Sequence, residues 1–155
     1  MFRLDEKTAL ITGASGGIGG AIAKTLHAAG ATVAISGTRV APLHALAAEL
    51  GDRVHILTCD LSNAEAVALL PKQAIETMGK VDILVNNAGV NDGIGFENGD
   101  AKKFIESLKK NVVHYYLMAQ QALPYLKENK GAIVNIGSKV SMTGQGGTSG
   151  YAAAC

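Results

Sequence analysis

Thr12-Gly13-Ala14-Ser15-Gly16-Gly17-Ile18-Gly19 is the stretch that decides the fold. It follows the apolar run Ala9-Leu10-Ile11 and leads into Ile18, Ile22 and Leu26, which recur at helical spacing. A turn from strand to helix is therefore expected here. Glycine lets the backbone reverse sharply and lets a ligand approach the main chain closely. The helix that follows offers free N–H groups and the positive end of its dipole, a ready site for phosphate. Between a strand and a helix, such a turn reads as a dinucleotide pyrophosphate cradle. Its spacing is Gly-x-x-x-Gly-x-Gly, which departs from the common Gly-x-Gly-x-x-Gly.

Outward from the turn, short β-branched runs alternate with helical patterns. The runs are Thr32-Val33-Ala34-Ile35, Val54-His55-Ile56-Leu57, Val81-Asp82-Ile83-Leu84-Val85 and Ala132-Ile133-Val134-Asn135-Ile136. Continuously apolar strands suit a parallel sheet covered on both faces. Leu43, Leu46 and Leu50 mark a second helix, with Gly30 and Gly51 expected as left-handed residues after the first two helices. Asn63 before Ala64-Glu65-Ala66 reads as an N-cap. Residues 100–129 form the longest helical pattern, with a bend expected around Pro124. Residues 87–99 and 141–150 read as glycine-rich loops. The alternation predicts an α/β, doubly wound parallel sheet, a Rossmann fold of five strands in a single dinucleotide-binding domain over residues 1–155.

A formal charge of +1 provides no basic field for nucleic acid or anionic lipid. Cys59 and Cys155 lack metal-ligand spacing, so no metal site is expected, and Cys59 reads as a buried thiol. Met1-Phe2-Arg3-Leu4-Asp5 has no apolar signal region, and no run reaches the ~20 residues of a membrane span. A cytoplasmic location with no nucleic-acid or membrane partner is the expectation.

The glycine spacing resembles the short-chain dehydrogenase/reductase family, and further segments agree. Asn86-Asn87-Ala88-Gly89 resembles the segment that supports the family's central sheet and lines its cofactor site. Cys59-Asp60-Leu61 resembles its adenine-contacting segment, with Asp60 as partner of the exocyclic amine. Asn111, Ser138 and Tyr151 match its active-site order. The resemblance implies cofactor contacts at Gly13, Ser15, Gly17, Ile18, Gly19, Asp60, Leu61, Asn87, Ala88 and Gly89. It also implies catalysis by Tyr151 as acid/base, Ser138 as substrate anchor and Asn111 as part of a proton relay. A homo-oligomer, dimer or tetramer, follows from the same likeness.

After the second strand the chain reads Ser36-Gly37-Thr38-Arg39, with no carboxylate to accept two ribose hydroxyls. Arg39, Ser36 and Thr38 suit a 2′-phosphate instead, which favours NADP, with NAD as the alternative. Four residues after Tyr151, where the family has lysine, stands Cys155. Without that ammonium the Tyr151 phenol is expected near its ordinary pKa of about 10. Lys139 reads as a solvated loop residue and His114 as packing rather than chemistry. The family also continues beyond this point, so the domain is expected to be incomplete at its C-terminus, with the fifth strand as an exposed edge.

Up to Gly89 the chain is similar to 3-oxoacyl-acyl-carrier-protein reductases of fatty acid biosynthesis. From Asn91 it is closer to sugar dehydrogenases of the fucose type, in Lys110-Asn111-Val112-Val113-His114-Tyr115-Tyr116 and Thr143-Gly144-Gln145-Gly146-Gly147-Thr148-Ser149. A mosaic or chimera is one expectation from this. The functional expectation is hydride transfer between a nicotinamide and a ketone or secondary alcohol, on a small-molecule or acyl-thioester substrate. The alternatives are a sugar dehydrogenase and a non-catalytic nucleotide-binding fragment or engineered chain.

Overall fold

The computed structural model describes residues 2–155; of the N-terminal segment read above, Met1 lies outside the described residues. Five parallel strands form one sheet in the order β3-β2-β1-β4-β5. They are β1 (Thr8–Ile11), β2 (Thr32–Gly37), β3 (Val54–Thr58), β4 (Ile83–Asn86) and β5 (Ala132–Asn135). The fold class is the one expected, and each strand lies within two residues of its expected position.

Successive side chains of a strand point to opposite faces, and both faces of β1 are covered. Leu10, Ala34 and Leu84 pack against α3 (Ala64–Met78) and α5 (His114–Glu128), where Val67, Leu70, Met118 and Leu126 complete the layer. Ala9, Ile11, Val33, Ile35 and Val85 pack on the other face, against Ala23 of α1 (Gly17–Ala28) and Leu43 and Leu46 of α2 (Val40–Leu50). Each fully buried Leu or Ile contributes roughly 1.5–3 kcal/mol, so the sheet centre is the most strongly held part of the chain.

The α1 pattern needs a correction. Ile22 and Leu26 pack against the core, but Ile18 is 65% exposed and the buried residues of α1 are Gly19 and Ala23. Close approach of α1 to the sheet demands small residues there, and it turns Ile18 outward. Gly30 and Gly51 have positive φ as expected, and Asn63 caps α3 by accepting from Glu65 N–H (3.0 Å) and Ala66 N–H (3.2 Å).

The long helical pattern breaks elsewhere than at proline. α4 (Ala101–Leu108) runs into a π-helical turn, Lys109–Val113, and then into α5, which passes Pro124 without interruption. Asn111 Nδ2 donates to the Ser107 carbonyl (2.9 Å), the acceptor that an α-helical ladder would give to the Asn111 backbone. The expected loop at 141–150 is shorter than predicted. α6 (Val140–Thr143) occupies its start, and α7 (Ser149–Ala154) begins before its end. No helix among the described residues is long and apolar enough to cross a membrane.

Candidate active site

The glycine turn lies at the C-terminal ends of β1 and β4, where the strand order reverses direction, the place open α/β sheets keep for ligands. Thr12 fastens it. Its Oγ1 accepts from Asn87 N–H (3.0 Å) and Ala88 N–H (3.2 Å) and donates to the Val85 carbonyl (3.3 Å). Asn87 Nδ2 donates back to the carbonyls of Thr12 (2.9 Å) and Gly13 (3.3 Å). Gly13 has φ +67°, and a Cβ there would stand 2.8 Å from Ala88 Cα. At Gly19 a Cβ would meet Asn87 Nδ2 at 2.6 Å, whereas at Gly17 it would meet nothing within 4 Å. Two glycines thus serve packing, and the third keeps the mouth of the cleft open. Among the described residues no side chain caps the α1 N-terminus at Gly16, whose own N–H donates to the Gly13 carbonyl (3.0 Å), and the first helical residues, Gly17, Ile18 and Gly19, line the cleft.

A cleft of about 500 Å³ extends from this turn. Gly13, Ser15, Gly17, Ile18, Gly19, Thr38, Arg39, Asp60, Leu61, Asn87, Ala88 and Gly89, twelve of the residues expected to meet a cofactor, line it. Ser36 does not. It is buried inside β2, 1% exposed, on the face that Ala34 presents to α3 and α5, and its Oγ has no hydrogen-bond partner among the described residues; the cleft begins one residue later, at Gly37. Arg39 Nη2 donates to the Ser15 carbonyl (2.6 Å), which lays the guanidinium along the glycine turn. Asp60 Oδ1 accepts from Ser62 N–H (2.9 Å) and Oγ (2.7 Å), and these bonds hold its carboxyl below the usual range. Burial pushes the Cys59 thiol up, helped by the neighbouring Asp60 charge, so it remains a neutral wall of the cleft.

The cleft also has walls that were not expected. Val90, Lys110 and His114 line it. His114 is buried, and its Nε2 donates to the Lys110 carbonyl (3.0 Å) while Nδ1 has no hydrogen-bond partner among the described residues. Burial lowers its pKa and keeps the ring neutral. The helical spacing of Lys110 and His114, one turn apart on one face, was the available signal for both.

A second cavity of about 530 Å³ shares Ile18, Asn87 and Gly89 with the first and contains Tyr151, Asn111, Tyr115 and Cys155. Asn111 is committed to the fold: Val90 N–H donates to its Oδ1 (2.7 Å), tying the 87–99 loop to the π-helical turn. Ser138 is not among the residues lining this cavity. It sits in the turn after β5, where Val140 N–H donates to its Oγ (3.3 Å).

The nearby Ser138 hydroxyl lowers the phenol's pKa, but burial and Cys155 outweigh it and leave Tyr151 above its usual value. This corrects the expectation of an unperturbed phenol. Tyr115, whose OH donates to the Ile136 carbonyl (3.2 Å), is pushed up to about 12 by burial, Cys155 and Tyr151. Lys139 is exposed, as expected of a loop residue, and does not line the cavity. Among the described residues no cluster of His, Cys, Asp or Glu could hold a metal.

A sequence profile described as short chain dehydrogenase matches residues 7–154. The chain belongs to the short chain dehydrogenase family. Nodulation protein G of Rhizobium sp. (strain N33) is 44% identical over 155 residues, covering 99% of this chain and 63% of that protein. A 3-oxoacyl-acyl-carrier-protein reductase of Rickettsia bellii is 40% identical over 158 residues, covering 99% of this chain and 62% of its own length. The chain thus spans slightly under two thirds of these relatives, and both matches run through the two halves on either side of residues 87–91. Among solved structures, a putative short-chain alcohol dehydrogenase from Sinorhizobium meliloti superposes with a TM-score of 0.91 at 36% identity, covering 99% of this chain and 62% of that one. A short chain dehydrogenase from Mycobacterium smegmatis gives 0.90 at 31% identity, with coverages of 99% and 68%.

Proposed function

We propose that this chain is the cofactor-binding portion of an NADP-dependent oxidoreductase acting on ketones or secondary alcohols, with 3-oxoacyl thioesters as the substrate class. The observation that carries this reading is the cleft at the glycine turn, with Arg39 laid along it. The cleft fits a dinucleotide phosphate: the first N–H groups of α1 suit its pyrophosphate. Thr38 and Arg39 offer hydroxyl and guanidinium donors for the 2′-phosphate, and no carboxylate stands there to repel it. Asp60 and Leu61 take the adenine end, and Asn87, Ala88 and Gly89 line the path toward the second cavity.

A bound nicotinamide supplies or accepts the hydride. Within the chain, Tyr151 holds the proton at its phenol oxygen, Ser138 orients that oxygen, and Asn111 fixes the loop beside it. The substrate class rests on the likeness to the Rickettsia reductase. A phenol raised above its ordinary pKa is a poor base at neutral pH. Residues 1–155 by themselves therefore bind nucleotide without useful turnover.

Titrating the chain with NADPH and with NADH, followed by nicotinamide fluorescence, tests the cofactor. Arg39→Ala is expected to weaken NADPH about tenfold or more, the worth of a charge-assisted contact to phosphate, and to change NADH by less than about twofold. Equal effects on both, or no binding by the unmodified chain, would overturn the NADP reading. Steady NADPH oxidation with an acetoacetyl thioester, abolished by Tyr151→Phe, would overturn the claim of inactivity.

A further inference from the structure

Lys110 is a cation on the cleft that the glycine turn and Arg39 leave unexplained. Its side chain is half exposed, and its Nζ stands 3.5 Å from Asp92 Oδ2. Asp92 is only 11% exposed, and its Oδ1 accepts from Ser107 Oγ (2.9 Å). Asp92 Oδ2 is buried and takes no hydrogen bond from the described residues, so the ammonium is the charge that compensates it. The carboxylate is enclosed while the ammonium is half exposed, so Asp92 steadies the cation and leaves N–H donors for the cleft.

The part of the cleft that Lys110 faces is fixed by packing. Cys59, at the end of β3, lies in the same core cluster as Met118, one turn beyond His114 and two beyond Lys110. The end of β3 and the π-helical turn are therefore walls of one end of the cleft. One wall presents Asp60, an acceptor whose Oδ2 makes no hydrogen bond to the described residues, and the other presents Lys110, a donor. Adenine carries a complementary pair, since its 6-amino group donates beside a ring nitrogen that accepts.

We propose that Lys110, steadied by Asp92, reads the adenine base of the dinucleotide by donating to a ring nitrogen. This rests on the dinucleotide reading above. Dissociation constants for NADPH, NADH and reduced nicotinamide mononucleotide, which lacks adenosine, test it on the unmodified chain, Lys110→Met and the double variant Asp92→Asn/Lys110→Met. The double variant leaves no buried carboxylate without its partner, so it separates binding from folding. Both variants are expected to weaken NADPH and NADH by the same factor, about five- to tenfold, and to leave the mononucleotide unchanged.

Unchanged dinucleotide affinity in both variants overturns the inference. So does a loss shared equally by the mononucleotide. A loss larger for NADPH than for NADH means a phosphate contact and overturns it too. If the unmodified chain binds no dinucleotide, the cofactor reading falls and this inference with it; if it binds and the variants match it, only this inference falls.

Discussion

The two cavities share a wall but are built to different standards. Around the first, the glycine turn is tied to strands buried on both faces and to its neighbour: Thr12 to Val85, Asn87 to Thr12 and Gly13, Ala14 N–H to the Ser36 carbonyl (2.9 Å). Around the second, Tyr151 stands on a six-residue helix, and the neighbouring strand β5 is exposed along its length. Ile133 and Val134, on opposite faces of β5, are 37% and 45% exposed, whereas their register partners Leu84 and Val85 are buried. Nucleotide binding needs a rigid cradle, and a doubly covered parallel sheet supplies one. The acid/base role proposed above for Tyr151 falls to a residue with less of this chain packed around it.

The largest effect should come from filling the space that the first region reserves. Gly13→Ala puts a side chain at φ +67°, which costs roughly 1–2 kcal/mol, and drives its Cβ against the Ala88 backbone, which costs roughly 1–3 kcal/mol more. A lowered melting temperature and loss of NADPH binding by about a hundredfold are expected. Gly17→Ala is the matched control, since its Cβ meets nothing within 4 Å. It should keep the melting temperature and lose affinity only. Equal melting temperatures for the two variants would erase the division between packing glycine and open glycine.

Next in size is the far end of the same strands. Asp82 is 3% exposed; its Oδ2 accepts from Thr8 N–H (2.9 Å), and Lys7 and Lys80 stand 3.3 and 3.2 Å away. Burial raises its pKa, but the Thr8 amide, Lys80 and Lys7 overcome that and leave the carboxyl below its ordinary value. A depressed folded pKa contributes stability that is present above the unfolded value near ~4 and is lost as pH falls through the folded value. Asp82→Asn should therefore cost about 2–3 kcal/mol at pH 7, and less as the pH falls below about 4. Denaturant melts at pH 7 and pH 3 would show it. A cost independent of pH would mean that the carboxylate charge does not hold β1 to β4.

Much of the first region was legible because backbone demands leave residue-type traces. A strand buried on both faces is mostly apolar, a turn at positive φ favours glycine (although Glu6, Arg53 and Lys130 also take it), and a helix start favours an asparagine such as Asn63. Side-chain direction was harder to read. Ser36 and Thr38 both follow the apolar run Thr32–Ile35, but only the structure shows that β2 extends through Gly37, which keeps Ser36 inside the sheet and leaves Thr38 to line the cleft. Ile18 fitted a core face by spacing, yet the small residues Gly19 and Ala23 take that face. The break at Asn111 was hidden because its mark is a side-chain bond to the Ser107 carbonyl, which spacing does not reveal, and Pro124, the stronger local signal, is tolerated. The Tyr151 environment depends on contacts with Ser138 and Cys155 that spacing alone does not weigh.

The smallest and most specific change addresses the second region directly. Cys155→Lys would set an ammonium one helical turn after Tyr151, where a thiol now helps to raise the phenol's pKa. An opposite charge within ~4–6 Å lowers a pKa by roughly 1–3 units, less where solvent screens it, so a fall of about one unit is expected for Tyr151. Ultraviolet difference titration reads tyrosine ionisation directly, and Tyr151→Phe in the same background identifies the group. Tyr115, held up at about 12 by burial first, should remain the last of the pair to ionise. NADPH affinity should change little, because the cleft at the glycine turn is built without residue 155. If the Tyr151 pKa does not move, the raised phenol reflects enclosure in the cavity rather than the missing cation, and the two regions differ in packing more than in charge.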